Sequence, residues 1–300
     1  MESQKFDLHT PYRGHPADVI PLQYHAHMLL DEHRMSSFRE AINLVVRPGM
    51  HVLDLGTGTG VLSFFAVQCG ARVTAVEREP GVLRAARRAL ADVGDRVTLV
   101  HADARDYLPE DPVDVVVCEM MHVGQLRERQ IEVIDSFKRR YLPRFGPRLP
   151  RFIPEACVQA VQPVEQDFSF YGFRVAAPMF QDPFASQPRT IELAAPQVFQ
   201  RFFYRDELPT VCSGDLTFTT TQPGRFNAVR LITKNLLAVE TVPPRSVDWL
   251  MNYLVAPLPQ PMTVKRDTRF RIFFEYAPGE EIPSLIDSLR ATPAPQYAGA

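Results

Sequence analysis

Apolar positions in the first half of the chain alternate between two patterns. Short runs dense in valine and leucine, HVLDLG (51–56), RVTAVE (72–77), RVTLVHAD (96–103) and VDVVVCE (113–119), are separated by longer segments such as GVLRAARRALADVG (81–94), whose apolar residues recur at helical spacing. Buried-looking strands that alternate with helices predict a parallel, doubly wound sheet with helices on both faces. Ahead of it, ADVIPLQYHAHMLLDEHRMSSFREAINLVV (17–46) reads as helical, with Ser37 and Glu40 spaced as a capping box that starts a fresh helix. These helices are expected across the mouth of the sheet. From about Pro143 the pattern changes: prolines accumulate, and ACVQAVQPV, DLTFTTTQ, AVRLITKNLLAVE, WLMNYLVAPL and TRFRIFFEY are strand candidates divided by turn residues. The break falls in LPRFGPRLPRFIP (142–154), where four prolines and a glycine oppose long regular structure. The fold class expected is α/β: N-terminal helices and a Rossmann-like sheet over residues 1–145, then a mostly β, barrel-like domain over residues 146–300.

Composition narrows the class. A 300-residue chain that is 45% apolar and 23% charged can build a large packed core, so a soluble globular protein is expected. The net charge of -2, with lysine only at positions 5, 138, 234 and 265, argues against bulk nucleic-acid binding. Cys69, Cys118, Cys157 and Cys212 are widely spaced with no CxxC, which fits reduced thiols and neither a zinc site nor a disulfide framework. The segment MESQKFDLHTPYRGH lacks a charged-then-apolar signal pattern, and no apolar run approaches the roughly 18 residues of a membrane span. A cytoplasmic location without a membrane partner is the expectation, and the tail ATPAPQYAGA is expected to fray.

Candidate chemistry begins at VLDLGTGTG (52–60). Gly56, Gly58 and Gly60 follow the first strand and open a helix, so the backbone there can approach a ligand closely at the carboxyl edge of the sheet. Glu77 ends the second strand, where a carboxylate can accept both hydroxyls of a ribose, and Asp103 ends the third, near where an adenine would lie. Either residue could instead be a solvated strand end, and the ligand could be a dinucleotide or S-adenosylmethionine. The GxGxG spacing, with Asp54 two residues ahead, resembles motif I of class I methyltransferases, and that resemblance implies S-adenosylmethionine.

The fourth strand is followed by E-M-M-x-x-G-x-x-x-E, with Glu119 and Glu128 nine positions apart. This closely resembles the double-E loop of protein arginine methyltransferases. HAHMLLDEHR (25–34) resembles that family's N-terminal helix motif H-x-x-M-L-x-D-x-x-R, and residues 41–77 follow its motif I region. The resemblance is specific over about the first 135 residues and loose beyond. It implies that Glu119 and Glu128 grip a guanidinium, that Arg34 pairs with the donor's carboxylate, that Met28 lines the transfer pocket and that His25 sits nearby on the covering helix. A carboxylate pair suits this task, because a guanidinium is charged at physiological pH and its delocalised lone pairs make it a poor nucleophile. Two carboxylates hold the fork, offset its charge and polarise one nitrogen. His25, His27 and His33 spread around a helix, so no metal site is expected.

Several positions depart from the family. Met120 stands for a tryptophan, His122 for a glycine, Val123 for a tyrosine and Gln130 for a methionine. HPADV (15–19) lies where a Tyr-Phe-x-x-Tyr element is expected, and the Thr-His-Trp loop reads Val247-Asp248-Trp249. With Met120 and Trp249 beside it, Asp248 would add a third carboxylate to the pocket if it reached it, which keeps free arginine or a small guanidino compound open as acceptor beside arginine in a protein or peptide. The segment matching the dimerisation arm, APMFQDPFASQP (177–188), is short, and a homodimer rests on family analogy alone. A donor-binding protein without catalysis is the reading from another class. Intact Gly56, Gly58, Gly60, Glu77, Glu119 and Glu128 weigh against it.

Overall fold

The computed structural model describes Ile20 and residues 22–294; HPADV and the last residues of the tail lie outside the described residues. The chain enters through helices α1 (Leu22–Leu30) and α2 (Glu32–Val45). Asp31 separates them and caps α2, its carboxylate accepting the Arg34 amide at 2.9 Å. The capping box expected at Ser37 and Glu40 is therefore not a helix start. Once Asp31 has nucleated the helix it runs through both positions, and the Glu40 carboxylate accepts Arg245 at 2.6 Å. Phe38, Ala41, Ile42 and Val45 form the buried stripe of α2, at the spacing of one helix face.

A five-stranded parallel sheet follows: β1 (His51–Leu55), α3 (Val61–Gln68), β2 (Arg72–Glu77), α4 (Pro80–Ala89), β3 (Val97–His101), β4 (Val115–Cys118), α5 (Gln130–Phe145) and β5 (Arg151–Ile153). The strand order is β3-β2-β1-β4-β5, every pairing parallel. The order reverses between β1 and β4, both fully buried, so a crevice opens beyond their carboxyl ends, where ligands of doubly wound sheets bind. The expected break at residue 145 falls too early. Helix α5 carries Pro143 in its last turn and ends at Gly146 (φ 97°), and β5 then completes the parallel sheet on β4.

The second half is antiparallel: β6 (Ala156–Gln166), β7 (Ser169–Phe170), β8 (Phe173–Arg174), β9 (Met179–Gln181), β10 (Thr190–Glu192), β11 (Gln197–Phe203), β12 (Cys212–Thr219), β13 (Gly224–Thr241), β14 (Pro244–Leu250), β15 (Tyr253–Val264), β16 (Arg269–Tyr276), helix α6 (Ile282–Ser288) and β17 (Arg290–Pro293). The long strand β13 is its spine, pairing with β6, β14 and β15, while β12, β16 and β17 form a separate sheet. Among the described residues these pairings do not close into a barrel; the mostly β half is built of packed open sheets. WLMNYLVAPL is likewise two strands, broken between Leu250 and Tyr253. One apolar core runs through both halves, from Leu55 and Phe137 to Leu231 and Phe274. The residues that reach from one half into the other are thus held firmly.

Candidate active site

At the end of β1 the chain turns through Gly56, Gly58 and Gly60, all with positive φ (76°, 58° and 89°). The turn is tied from beneath. The buried Asp54 carboxylate accepts the hydroxyls of Thr57 (2.7 Å) and Ser63 (2.6 Å), joining the strand, the loop and α3. Burial pushes the Asp54 carboxyl above its usual range, and the two hydroxyls oppose that shift by stabilising the charge. Side chains close on the loop from above. A Cβ on Gly56 would come within 2.8 Å of Met120 Sδ, and one on Gly58 within 2.9 Å of the His25 ring. Met28 is half-buried one helical turn beyond His25, on the same side of α1.

Glu77, at the end of β2, bends back to the loop, where it accepts the amides of Gly58 (3.1 Å) and Glu79 (2.8 Å); burial raises its carboxyl, and these amides pull it back. Asp103 lies just past β3 and is bound through both oxygens by Arg105 (3.0 and 2.7 Å), with Arg78 at 3.5 Å. Those guanidiniums hold the Asp103 carboxyl down to about 2. A glycine turn that leaves no room for Cβ atoms, with a carboxylate aimed at its middle amide and another at the next strand end, fits a nucleoside-bearing donor laid across the strand ends.

Glu119 leaves β4 into the same crevice. Gln130, fully buried on α5, brackets it: its Nε2 donates to the Cys118 carbonyl (2.7 Å) and its Oε1 accepts the Met120 amide (2.9 Å). The Glu119 carboxylate accepts a hydrogen bond from the Arg34 guanidinium, both side chains being largely buried. Arg34 in turn lies over the Trp249 ring, 5.3 Å from its centroid, and Trp249 meets Phe38 edge-on at 5.8 Å. Burial lowers the Arg34 pKa, and the charges of Glu128 and Asp31 oppose that shift. Glu128 is half-buried, with no hydrogen bond to its carboxylate among the described residues. Burial pushes it up to about 7, against the pull of Arg34 and Arg127. The loop between β4 and α5 thus brings both glutamates to one guanidinium.

Asp248 does not join them. Side chains alternate along β14, so the burial of Trp249 against Phe38 turns Asp248 outward, where it pairs with Lys234 Nζ at 2.7 Å. His33 stacks on Phe184 (4.0 Å) from the arm-like segment, and no cluster of metal-ligating side chains occurs among the described residues. Beside Trp249 a cavity of about 440 Å3 is lined by Asp31, Glu32, His33, Asp182 and Phe184. Sequence reasoning missed Thr57, Ser63 and the bracketing by Gln130. The first two are polar residues at the start of a loop and helix, a usual place for such bonds. Gln130 carried no signal beyond its departure from the family's residue.

Residues 52–143 match the model of a methyltransferase domain. An uncharacterized protein of Methanothermobacter thermautotrophicus is 34% identical over 215 residues, covering 72% of this chain and 78% of that one. Protein arginine N-methyltransferase PRMT10 of Oryza sativa is 34% identical over 133 residues, 43% of this chain but only 35% of its own length. Among solved structures, the PRMT1 enzyme-prozyme heterotetrameric complex of Trypanosoma brucei with AdoHcy superposes with a TM-score of 0.70 at 17% identity, covering 91% of this chain and 97% of that one.

Proposed function

We propose that this chain, whose residues 52–143 match a methyltransferase domain, is a divergent member of the protein arginine methyltransferase family, takes S-adenosylmethionine as methyl donor and methylates the guanidino group of arginine in a protein or peptide. The observation that carries this reading is the pair of carboxylates gathered around one guanidinium: Glu119 bound to Arg34, and Glu128 beside them with no hydrogen-bonding partner of its own among the described residues.

When bound, S-adenosylmethionine supplies an electrophilic methyl on a sulfonium. Gly56, Gly58 and Gly60 would seat the donor, Glu77 would accept its ribose hydroxyls, Asp103 would stand near its adenine and Arg34 would meet its carboxylate. Met28, Met120 and His25 would wall the donor cleft, since Met120 and His25 already lie against its glycines. Glu119 and Glu128 would orient the acceptor's fork so that one nitrogen faces the methyl, and transfer then depends mainly on that alignment. The new N–C bond requires the guanidinium to release a proton. Glu128, with its carboxyl raised to about 7, can hold it near neutral pH.

The case for free arginine rested on Asp248, which is paired with Lys234 on the outer face. The cavity beside Trp249, with Asp31, Glu32 and Asp182 in its lining, instead suits the cationic flanks of a peptide. Incubation with S-adenosylmethionine and either an arginine-rich peptide or free L-arginine, read by mass and amino-acid analysis, tests the assignment. Methylarginine in the peptide is expected, and methyl on free arginine alone, or on neither acceptor, would overturn it.

A further inference from the structure

The two glutamates are fixed by different halves of the molecule. Glu119 is set by β4 and Gln130, whereas the stretch leading to Glu128 is bonded almost wholly to the antiparallel half. The Gly124 amide donates to Thr233 Oγ1 (2.8 Å), and Tyr276 Oη donates to the Gly124 carbonyl (2.7 Å). Gly279 donates to the Gln125 carbonyl (2.7 Å), and the Arg127 amide donates to the Glu280 carbonyl (2.7 Å). Thr233 and Tyr276 are buried, and Thr233 is itself fixed by donating to Gln159 Oε1 at 2.6 Å. Gly124 has φ 73°, and a Cβ there would lie 2.9 Å from Leu231 Cδ2 and 3.2 Å from Tyr276 Oη, so the loop backbone is pressed against β13 and β16 with no slack.

We infer that Thr233 and Tyr276 are positioning residues for the guanidinium site. By gripping both backbone groups of Gly124 they set where Glu128 stands relative to Glu119. This rests on the reading of the two glutamates as the acceptor's grip. Neither side chain need touch donor or acceptor, so their loss should misalign the acceptor and leave donor binding intact.

The test uses the full chain with Thr233→Val, Thr233→Ser and Tyr276→Phe. Steady-state transfer to an arginine-rich peptide, calorimetric S-adenosylmethionine binding and hydrogen exchange of residues 122–128 are measured for each. Thr233→Val should lower kcat roughly 100-fold, the scale of an ångström-sized misplacement, with donor affinity within about twofold; Thr233→Ser should recover most of the loss. Tyr276→Phe should lower kcat about tenfold by the same misalignment. Wild-type kcat in Thr233→Val and Tyr276→Phe would overturn the inference, as would donor affinity falling in step with kcat. If the parent protein transfers no methyl to arginine, the functional reading fails and exchange decides the anchoring. Faster exchange confined to residues 122–128 in Thr233→Val upholds it, and unchanged exchange there refutes it.

Discussion

Glu119 and Glu128 belong to one loop and one residue type, yet they live in different electrostatic worlds. Glu119 sits at the end of a fully buried strand, bracketed by Gln130 and neutralised by Arg34. Glu128 is positioned from the other half of the molecule, lacks a bonded cation among the described residues and has its carboxyl raised to about 7. On the proposed function the difference separates two tasks: Glu119 is part of the standing structure, and Glu128 would meet the incoming cation, its desolvation relieved by that charge.

That contrast can be broken from either side. Glu128→Gln should keep S-adenosylmethionine affinity within about twofold and lower methyl transfer about 100- to 1,000-fold, the range for losing one preorganised electrostatic contact. Glu119→Gln should lose transfer to a similar extent, but it should also lower stability by about 3 kcal/mol, because the largely buried Arg34 loses the carboxylate it is bonded to. Thermal unfolding of the two variants side by side checks this: a shift in the first alone would contradict the division of roles. Gly58→Ala leaves both glutamates in place and strains the donor cradle by about 1 to 3 kcal/mol, since its φ is 58° and His25 crowds the new methyl. Donor affinity, read by calorimetry, should fall about tenfold or more. The smallest effect belongs to Asp248→Ala, which removes an exposed ion pair worth at most about 1 kcal/mol and should leave kcat and KM for the peptide unchanged. A large loss of transfer there would return Asp248 to the pocket.

The sequence disclosed what is local. The first four strands of the parallel sheet, the glycine turn and the strand-end acids Glu77 and Asp103 sit within short windows whose apolar pattern and glycine spacing state their geometry. What it hid depends on pairing between distant residues. Whether Asp248 or Trp249 faces inward is decided by the register of β14 on β13, which shifts between Leu236 and Ala238. No pattern near residue 248 reports that shift. How the strands of the second half divide between separate sheets is decided by pairing of the same long range. The anchors of Gly124 are 109 and 152 residues away in the chain, so Thr233 and Tyr276 read as ordinary strand residues until the fold brings them to the loop. The early break at residue 145 overweighted proline: Pro143 is carried in the last turn of α5, and three residues suffice for β5.

The pH dependence of kcat/KM for the arginine peptide, in the parent protein and in Glu128→Gln, tests the central claim most directly. Burial raises the Glu128 carboxyl from its ordinary value of 4.5 to about 7, so in the free protein it is protonated below neutrality and cannot pair with an incoming guanidinium. The same shift makes its contribution to stability fully present below pH 4.5 and lost as pH rises through about 7. The account predicts that kcat/KM of the parent climbs through about pH 7 and then levels, while the glutamine variant stays low with no rise there. Identical pH profiles in the two proteins would contradict it.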